Sequence, residues 1–258
     1  MPLLQRLVAR PELGPLVLLI IELVAFQAIN PEFLSIQNIS NTLAFTVELG
    51  LIAVPMTLLM TSGEFDLSVG SVFGFAAVVM WTFYNSGAAS LEVGFVIALL
   101  VAALLGFVNG WFVTRLKISS FLVTLGMLLV VRGTALYLTD GFPQRTWTAE
   151  GSLIADLLAG QFYLGTFRIY ASLFWFAAVA IVLGYVLTQT RAGNWIQAAG
   201  GNPGAARARG VKVSRTKIGL FVLTAVLAAL AGIISSIRTS AATPTAAPAT
   251  SSRSSPWW

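Results

Sequence analysis

Apolar runs close to the roughly 20 residues that cross a bilayer's ~30 Å hydrocarbon layer recur along this chain with short polar gaps between them. They predict spans at about Gly14–Ala28, Thr42–Thr61, Leu67–Tyr84, Leu91–Thr114, Ser119–Leu138, Ile169–Gln189 and Ile218–Ile237. The fold class that follows is all-α: a polytopic transmembrane helix bundle of about seven spans. Arg6 and Arg10 precede the first run as they would in a signal peptide. That run carries Glu22, is long for a signal core and lacks a small-x-small cleavage site, so a retained signal anchor is expected.

The polar gaps carry their own pattern. After the fifth span Asp140-Gly141-Phe142-Pro143 supplies turn chemistry, and Ser152–Leu158 reads as a short helix on the membrane face. The longest basic gap, Thr190–Lys217, reads as two short helices separated by Gly200-Gly201. The second has Asn202 as its N-cap, Pro203 at the first helical position and Gly210 at its end. Within the spans small residues recur four apart, as in Gly70/Gly74, Gly106/Gly110 and Ala228/Gly232. Lipid offers no hydrophobic force between helices, so such residues serve as packing faces where backbones approach closely.

Composition excludes the soluble classes: 57% of residues are hydrophobic and 10% charged, with a mean hydropathy of +0.85. Cys and His are both absent, which removes disulfides, thiolate metal sites and the usual proton shuttle. The net charge of +5 fits cytoplasmic loops better than nucleic acid. With the N-terminus cytoplasmic, the inner segments hold Arg6, Arg10, Arg115, Lys117, Arg191, Arg207, Arg209, Lys212, Arg215 and Lys217. The outer segments hold only Arg145, Arg168, Arg238 and Arg253.

Charged and amide groups inside such runs need a reason, because an Asp at mid-bilayer costs roughly 2.5–3.5 kcal/mol. Glu22, Glu48, Asn109 and Arg132 are the candidates for the bundle interior or a water-filled path, and Glu48 with Arg132 is the expected ion pair. Gly63-Glu64-Phe65-Asp66-Leu67-Ser68-Val69-Gly70-Ser71 sets two more acids between spans. Asp66 has two readings. Either it caps the next helix, accepting from the N–H of Ser68 or Val69 where the helix dipole favours its charge, or Glu64 and Asp66 line the path of a polyhydroxylated solute. The basic loop is open in the same way. Its Ala205, Ala206 and Ala208 would fit a groove on a partner with Arg207 and Arg209 at the rim, or it is an ordinary interfacial loop.

The Gly63–Ser71 stretch resembles the signature of permease subunits of bacterial ATP-binding-cassette importers for monosaccharides, the ribose/xylose/galactose branch. Three further blocks are similar to the same family: Ile118–Met127, Arg132-Gly133 with Thr139-Asp140-Gly141, and Gly200-Gly201-Asn202-Pro203 with Ala205-Ala206-Arg207 and Gly210. They run in family order from about Leu43 to Arg238. The resemblance implies a permease domain over 1–237 whose loop 190–217 couples to a separate ATPase subunit through Gly201, Asn202, Pro203, Ala205, Ala206, Arg207 and Gly210. Together with the polar groups inside the spans, it gives an expected substrate path through Glu48, Glu64, Asp66, Asn109, Thr124 and Arg132. Its partners would be that ATPase, a periplasmic sugar-binding protein, a second permease copy and the bilayer of the bacterial inner membrane, with no nucleic acid. No catalytic residue, metal or cofactor is expected in the chain, ATP being hydrolysed by the partner. No Gly-x-x-x-x-Gly-Lys-Ser/Thr phosphate loop occurs in the sequence, in keeping with that division of labour. The rival classes are a secondary transporter or channel, which would move solute without an ATPase, and a membrane-anchored interaction protein, which would move none.

The resemblance stops near Pro244, and the stretch 238–258 reads as a polar, low-complexity tail outside the family pattern, expected to be disordered. One codon choice for Pro248–Trp258, read in a shifted frame, gives Gly-Tyr-Glu-Leu-Glu-Lys-Leu-Ala-Met-Val, which restores the pattern. A frameshift just before Pro248 and an inactive, truncated permease are therefore an expectation of the sequence.

Overall fold

Peptide groups in lipid find no water to bond, so an apolar run of sufficient length satisfies its own backbone by coiling. A computed structural model describes residues 13–146 and 152–244, and a helix lies on each of the seven apolar runs. These are α1 (Leu13–Ile29), α2 (Ile36–Thr61), α3 (Val69–Asn85), α4 (Leu91–Arg115), α5 (Ser120–Leu138), α7 (Ser172–Gln189) and α10 (Val213–Thr239). By length and apolarity α2, α4, α5, α7 and α10 are able to cross a membrane, whereas α1 and α3 are shorter at 17 residues each. Ser35 and Ser90 cap α2 and α4, accepting from the N–H groups of Asn38 and Val93.

The core gathers around α10, which packs on α4, α3 and α2. Its fully buried Ile233 and Ile234 join Leu51 of α2 and Trp81 of α3, and its Phe221 packs in a second cluster with Leu58 and Leu59 of α2. Small residues set the spacing. A Cβ placed on Gly106 would lie 2.6 Å from the Phe221 carbonyl, and one on Gly110 would lie 2.8 Å from Cα of Ile218. Gly232 meets the backbone of Phe73 in the same way. Two of the three predicted small-residue pairs thus face α10 or lie on it as packing positions. In Gly70/Gly74, Gly74 lies against the backbone of Thr243 and Pro244. By contrast α1 buries no residue, and its Glu22 is exposed.

The polar connections fall into two sets. At one end lie the 62–68 loop, the α4–α5 turn and two short helices, α8 (Arg191–Gly201) and α9 (Pro203–Ala208). At the other, β1 (Gln144–Arg145) pairs antiparallel with β4 (Ala241–Ala242), and β2 (Gln161–Leu164) with β3 (Phe167–Tyr170). The predicted short helix is α6 (Leu153–Ala159), and Ser152 Oγ donates to Glu92 at 3.2 Å.

Several predicted boundaries move: α2 begins at Ile36 and not Thr42, and α10 at Val213 and not Ile218. The span read from Ile169 begins at Ser172, because Gly165, with φ +63°, opens a two-residue hairpin turn and Ile169 pairs with Phe162 across it. The last span, read to Ile237, runs on as α10 to Thr239; Ser240 then turns left-handed and the chain enters β4. The signal-anchor arginines Arg6 and Arg10, and the tail beyond Pro244 with its frameshift stretch from Pro248, lie outside the described residues.

Candidate functional site

Asp66 sits in the α2–α3 connection, 1% exposed. Its Oδ1 accepts from the backbone N–H of Ser68 at 2.8 Å and from the Ser68 hydroxyl at 2.6 Å. Asn109 Nδ2 of α4 donates to Ser68 Oγ at 3.0 Å, which makes a buried chain Asn109–Ser68–Asp66. From α5, Thr124 Oγ1 accepts from the N–H of Leu67 at 3.0 Å, and Ser120 Oγ from that of Phe65 at 3.4 Å. Two helices, α4 and α5, therefore hold the connection, which orders its backbone ahead of α3. The carboxylate bonds the turn into the helix as the capping reading required, with Ser68 and not Asp66 at the N-cap itself. Oδ2 of Asp66 and Oδ1 of Asn109 are buried and find no donor among the described residues.

Glu64 turns the other way. Its Oε1 lies 2.5 Å from Lys217 Nζ of α10, with both side chains largely buried. The pair borders a polar cavity of about 270 Å³ whose wall includes Thr114, Lys117, Arg207 and Ser214.

The basic loop folds as its sequence prescribes. Asn202 accepts from the N–H of Ala205 at 3.0 Å, Pro203 opens α9, and Gly210 takes φ +87° after it. Thr190 caps α8 through the N–H of Gly193. One feature overturns an expectation: Ala206 does not face outward for a partner. It is buried with Ala199 and Val213 in a small core of its own, because the tight turn after α9 folds that face back onto α8 and the start of α10. Ala205, Arg207 and Ala208 remain exposed. The end of α8 then meets the acidic connection, since Gly200 abuts the Thr61 carbonyl and Gly63. The two stretches that the sequence marks most strongly, some 130 residues apart, are in direct contact.

Glu48 pairs with a different cation from the one expected. Arg238 Nε donates to Glu48 Oε1 at 2.7 Å, with side chains only 8% and 7% exposed. The guanidinium also stacks over Phe45 at 4.2 Å from the ring centre. Arg132 is exposed on the outer face of α5 and does not reach Glu48. The reason is topological: α10 packs on α2 and brings the last-turn arginine to it, while α5 packs on α3 and α4. Of the six proposed path residues, Asp66, Asn109 and Thr124 form one cluster, and Glu64, Glu48 and Arg132 stand apart from it. Sequence reasoning missed Ser68, Lys217 and Arg238. Lys217 and Arg238 left the same signal, as cations flanking the two ends of the predicted last span.

No group of acidic residues that could hold a metal ion occurs among the described residues. Comparison with known proteins adds the following. Residues 38–252 match the family described as branched-chain amino acid transport system / permease component. The ribose import permease of Escherichia coli is 34% identical over 232 residues, covering 90% of this chain and 71% of the relative. That of Haemophilus influenzae is 33% identical over 228 residues, covering 88% and 69%. The fructose import permease of Rhizobium meliloti is 32% identical over 243 residues, covering 92% and 66%. No solved structure matches the chain.

Proposed function

The chain belongs to the branched-chain amino acid transport system / permease component family, and we propose that it carries a monosaccharide across the bacterial inner membrane. It is a multi-pass membrane permease of an ATP-binding-cassette importer and not an enzyme. The relatives named for ribose and fructose favour a sugar. Permeases of this kind work with an ATPase and a substrate-binding component; a periplasmic binding protein and a second permease copy complete the proposed assembly. The N-terminus is cytoplasmic in this reading, which puts Glu64, Lys117 and the α8–α9 loop on the side where the ATPase acts.

One observation carries the mechanism: α8 touches the Asp66 connection through Gly200, and that connection opens α3 and is tied to α4 and α5. The exposed edge of α9, with Ala205, Arg207 and Ala208, meets the ATPase. A push there reaches Thr61–Gly63 directly and moves the start of α3 as a rigid element, the hinge-and-shear behaviour of packed helices. Gly201, Asn202, Pro203 and Gly210 shape the lever, and Ala206 secures it to the bundle. Glu48, Glu64, Asp66, Asn109, Thr124 and Arg132 are the residues proposed to border the path.

The test is uptake of radiolabelled ribose, fructose and xylose into proteoliposomes holding this chain, with and without its ATPase and binding protein. Uptake that needs ATP and both partners is the expected result. Uptake driven by an ion gradient without the ATPase would instead establish a secondary transporter, and no uptake of any of the sugars would refute the sugar reading.

A further inference from the structure

The cavity beside the Glu64–Lys217 pair shares Arg207 with the edge of α9 that meets the ATPase, and its other cations have no part in the movement described above. Its wall draws from four places in the chain: Glu64 after α2, Thr114 and Lys117 at the end of α4, Arg207 on α9, and Ser214 and Lys217 on α10. Three cations face one carboxylate. Lys217 is already committed to Glu64 at 2.5 Å, and neither Lys117 nor Arg207 has an ion-pair partner among the described residues. Lys117 is held at φ +58°, a conformation few residues other than glycine adopt, and this sets its side chain on the cavity wall. The hydroxyls of Thr114 and Ser214 add donors of the kind that phosphate oxygens accept. At about 270 Å³ the space exceeds what a few waters fill and suits a phosphate group with part of its ester.

Position favours one occupant. The cavity lies at the end of the apolar helices, where headgroup phosphates sit, and Trp111 and Leu116 on the same end of α4 are exposed in the manner of residues that anchor at a membrane interface. Basic pockets between helix ends on the cytoplasmic side recognise anionic headgroups in this way. We infer that this cavity binds a phosphate group, supplied by an anionic lipid headgroup or by phosphate from solution, and that the bound anion bridges α9 to the helix ends through Arg207 and Lys117. The coupling helix is then tied to the bundle by the bound anion. This rests on the cytoplasmic placement proposed above and on no choice of sugar.

Native mass spectrometry of the full chain in detergent tests it, with phosphatidylglycerol, phosphatidylcholine or inorganic phosphate added. The expected result is retention of phosphatidylglycerol over phosphatidylcholine, reduced about 30-fold in Lys117→Gln/Arg207→Gln, since each basic residue near a headgroup contributes roughly a fivefold factor. Arg191→Gln/Arg209→Gln removes equal charge from the same end of the molecule at residues that do not line the cavity and should retain the lipid. If inorganic phosphate binds instead, with the same dependence on Lys117 and Arg207, the anion comes from solution. Equal retention in the cavity variant, equal loss in the loop control, or binding of neither phosphate source would overturn the inference. Because the readout is binding, these outcomes are separable from a failure of sugar uptake.

Discussion

At the residue scale the informative groups are the few polar ones that the bundle encloses, and their partners decide what each does. Glu48 and Arg238 form a buried pair in which each neutralises the other. Removing one partner should cost about 3–5 kcal/mol by stranding a buried charge, whereas exchanging both for apolar residues should cost far less. Thermal denaturation of the purified chain checks this: Glu48→Leu is expected to lower the midpoint sharply and Glu48→Leu/Arg238→Leu to restore most of it. Equal losses in the single and double variants would show that the pair does not act as a unit. Asp66 makes a different prediction. Asp66→Asn keeps the oxygen that accepts from the Ser68 N–H and hydroxyl, so sugar uptake per inserted protein should survive. Asp66→Ala leaves two buried donors unmet, at about 1–3 kcal/mol for each. Uptake lost equally in Asn and Ala variants would mean that the negative charge itself is required. The capping role was legible because Asp two residues ahead of a Ser at a helix start is local chemistry. The pairing of Glu48 was not, because complementary charge alone does not say which helices are neighbours.

At the element scale α8 and α9 form a lever whose shape is written locally and whose contact is not. Asn202 fixes the start of a six-residue helix too short to persist by propensity alone. Asn202→Ala should therefore weaken it by about 0.5–2 kcal/mol. Gly200→Ala acts differently, since the added methyl would collide with the Thr61 carbonyl and separate the lever from the acidic connection. Both variants should insert normally and lose sugar-dependent stimulation of the ATPase, Gly200→Ala more completely. Gly219→Ala is the control, as Gly219 lies outside the lever and the space around it is open. Stimulation unchanged in Gly200→Ala would remove the lever from the mechanism. The outward docking face expected from three alanines shrinks to two for a related reason: a helix of six residues shows every side at once, and only the fold of the loop around it selects which side is covered.

At the scale of the whole molecule the chain has two polar ends, one built from the 62–68 connection, the α4–α5 turn and the lever, the other from the two small hairpins. The sequence holds no cysteine, so single substitutions report sidedness cleanly. Lys117→Cys and Trp195→Cys should react with an impermeant maleimide from the cytoplasmic face, and Phe142→Cys and Tyr163→Cys from the opposite one. Labelling of all four from one side would break both the topology and the orientation. The sequence by itself determined that the protein is an apolar helix bundle, where its helices lie to within a few residues, how the lever is capped, and which family it belongs to. Those properties depend on runs, spacings and caps, whose physics acts within one or two turns of chain. Only the tertiary structure decided that Arg238 and not Arg132 meets Glu48, that Ala206 turns inward, and that Gly200 lies on the acidic connection. Each of these depends on which helices pack side by side, and in lipid that choice rests on close backbone fit between small residues distant in sequence, a property of pairs of surfaces that no single stretch of chain contains.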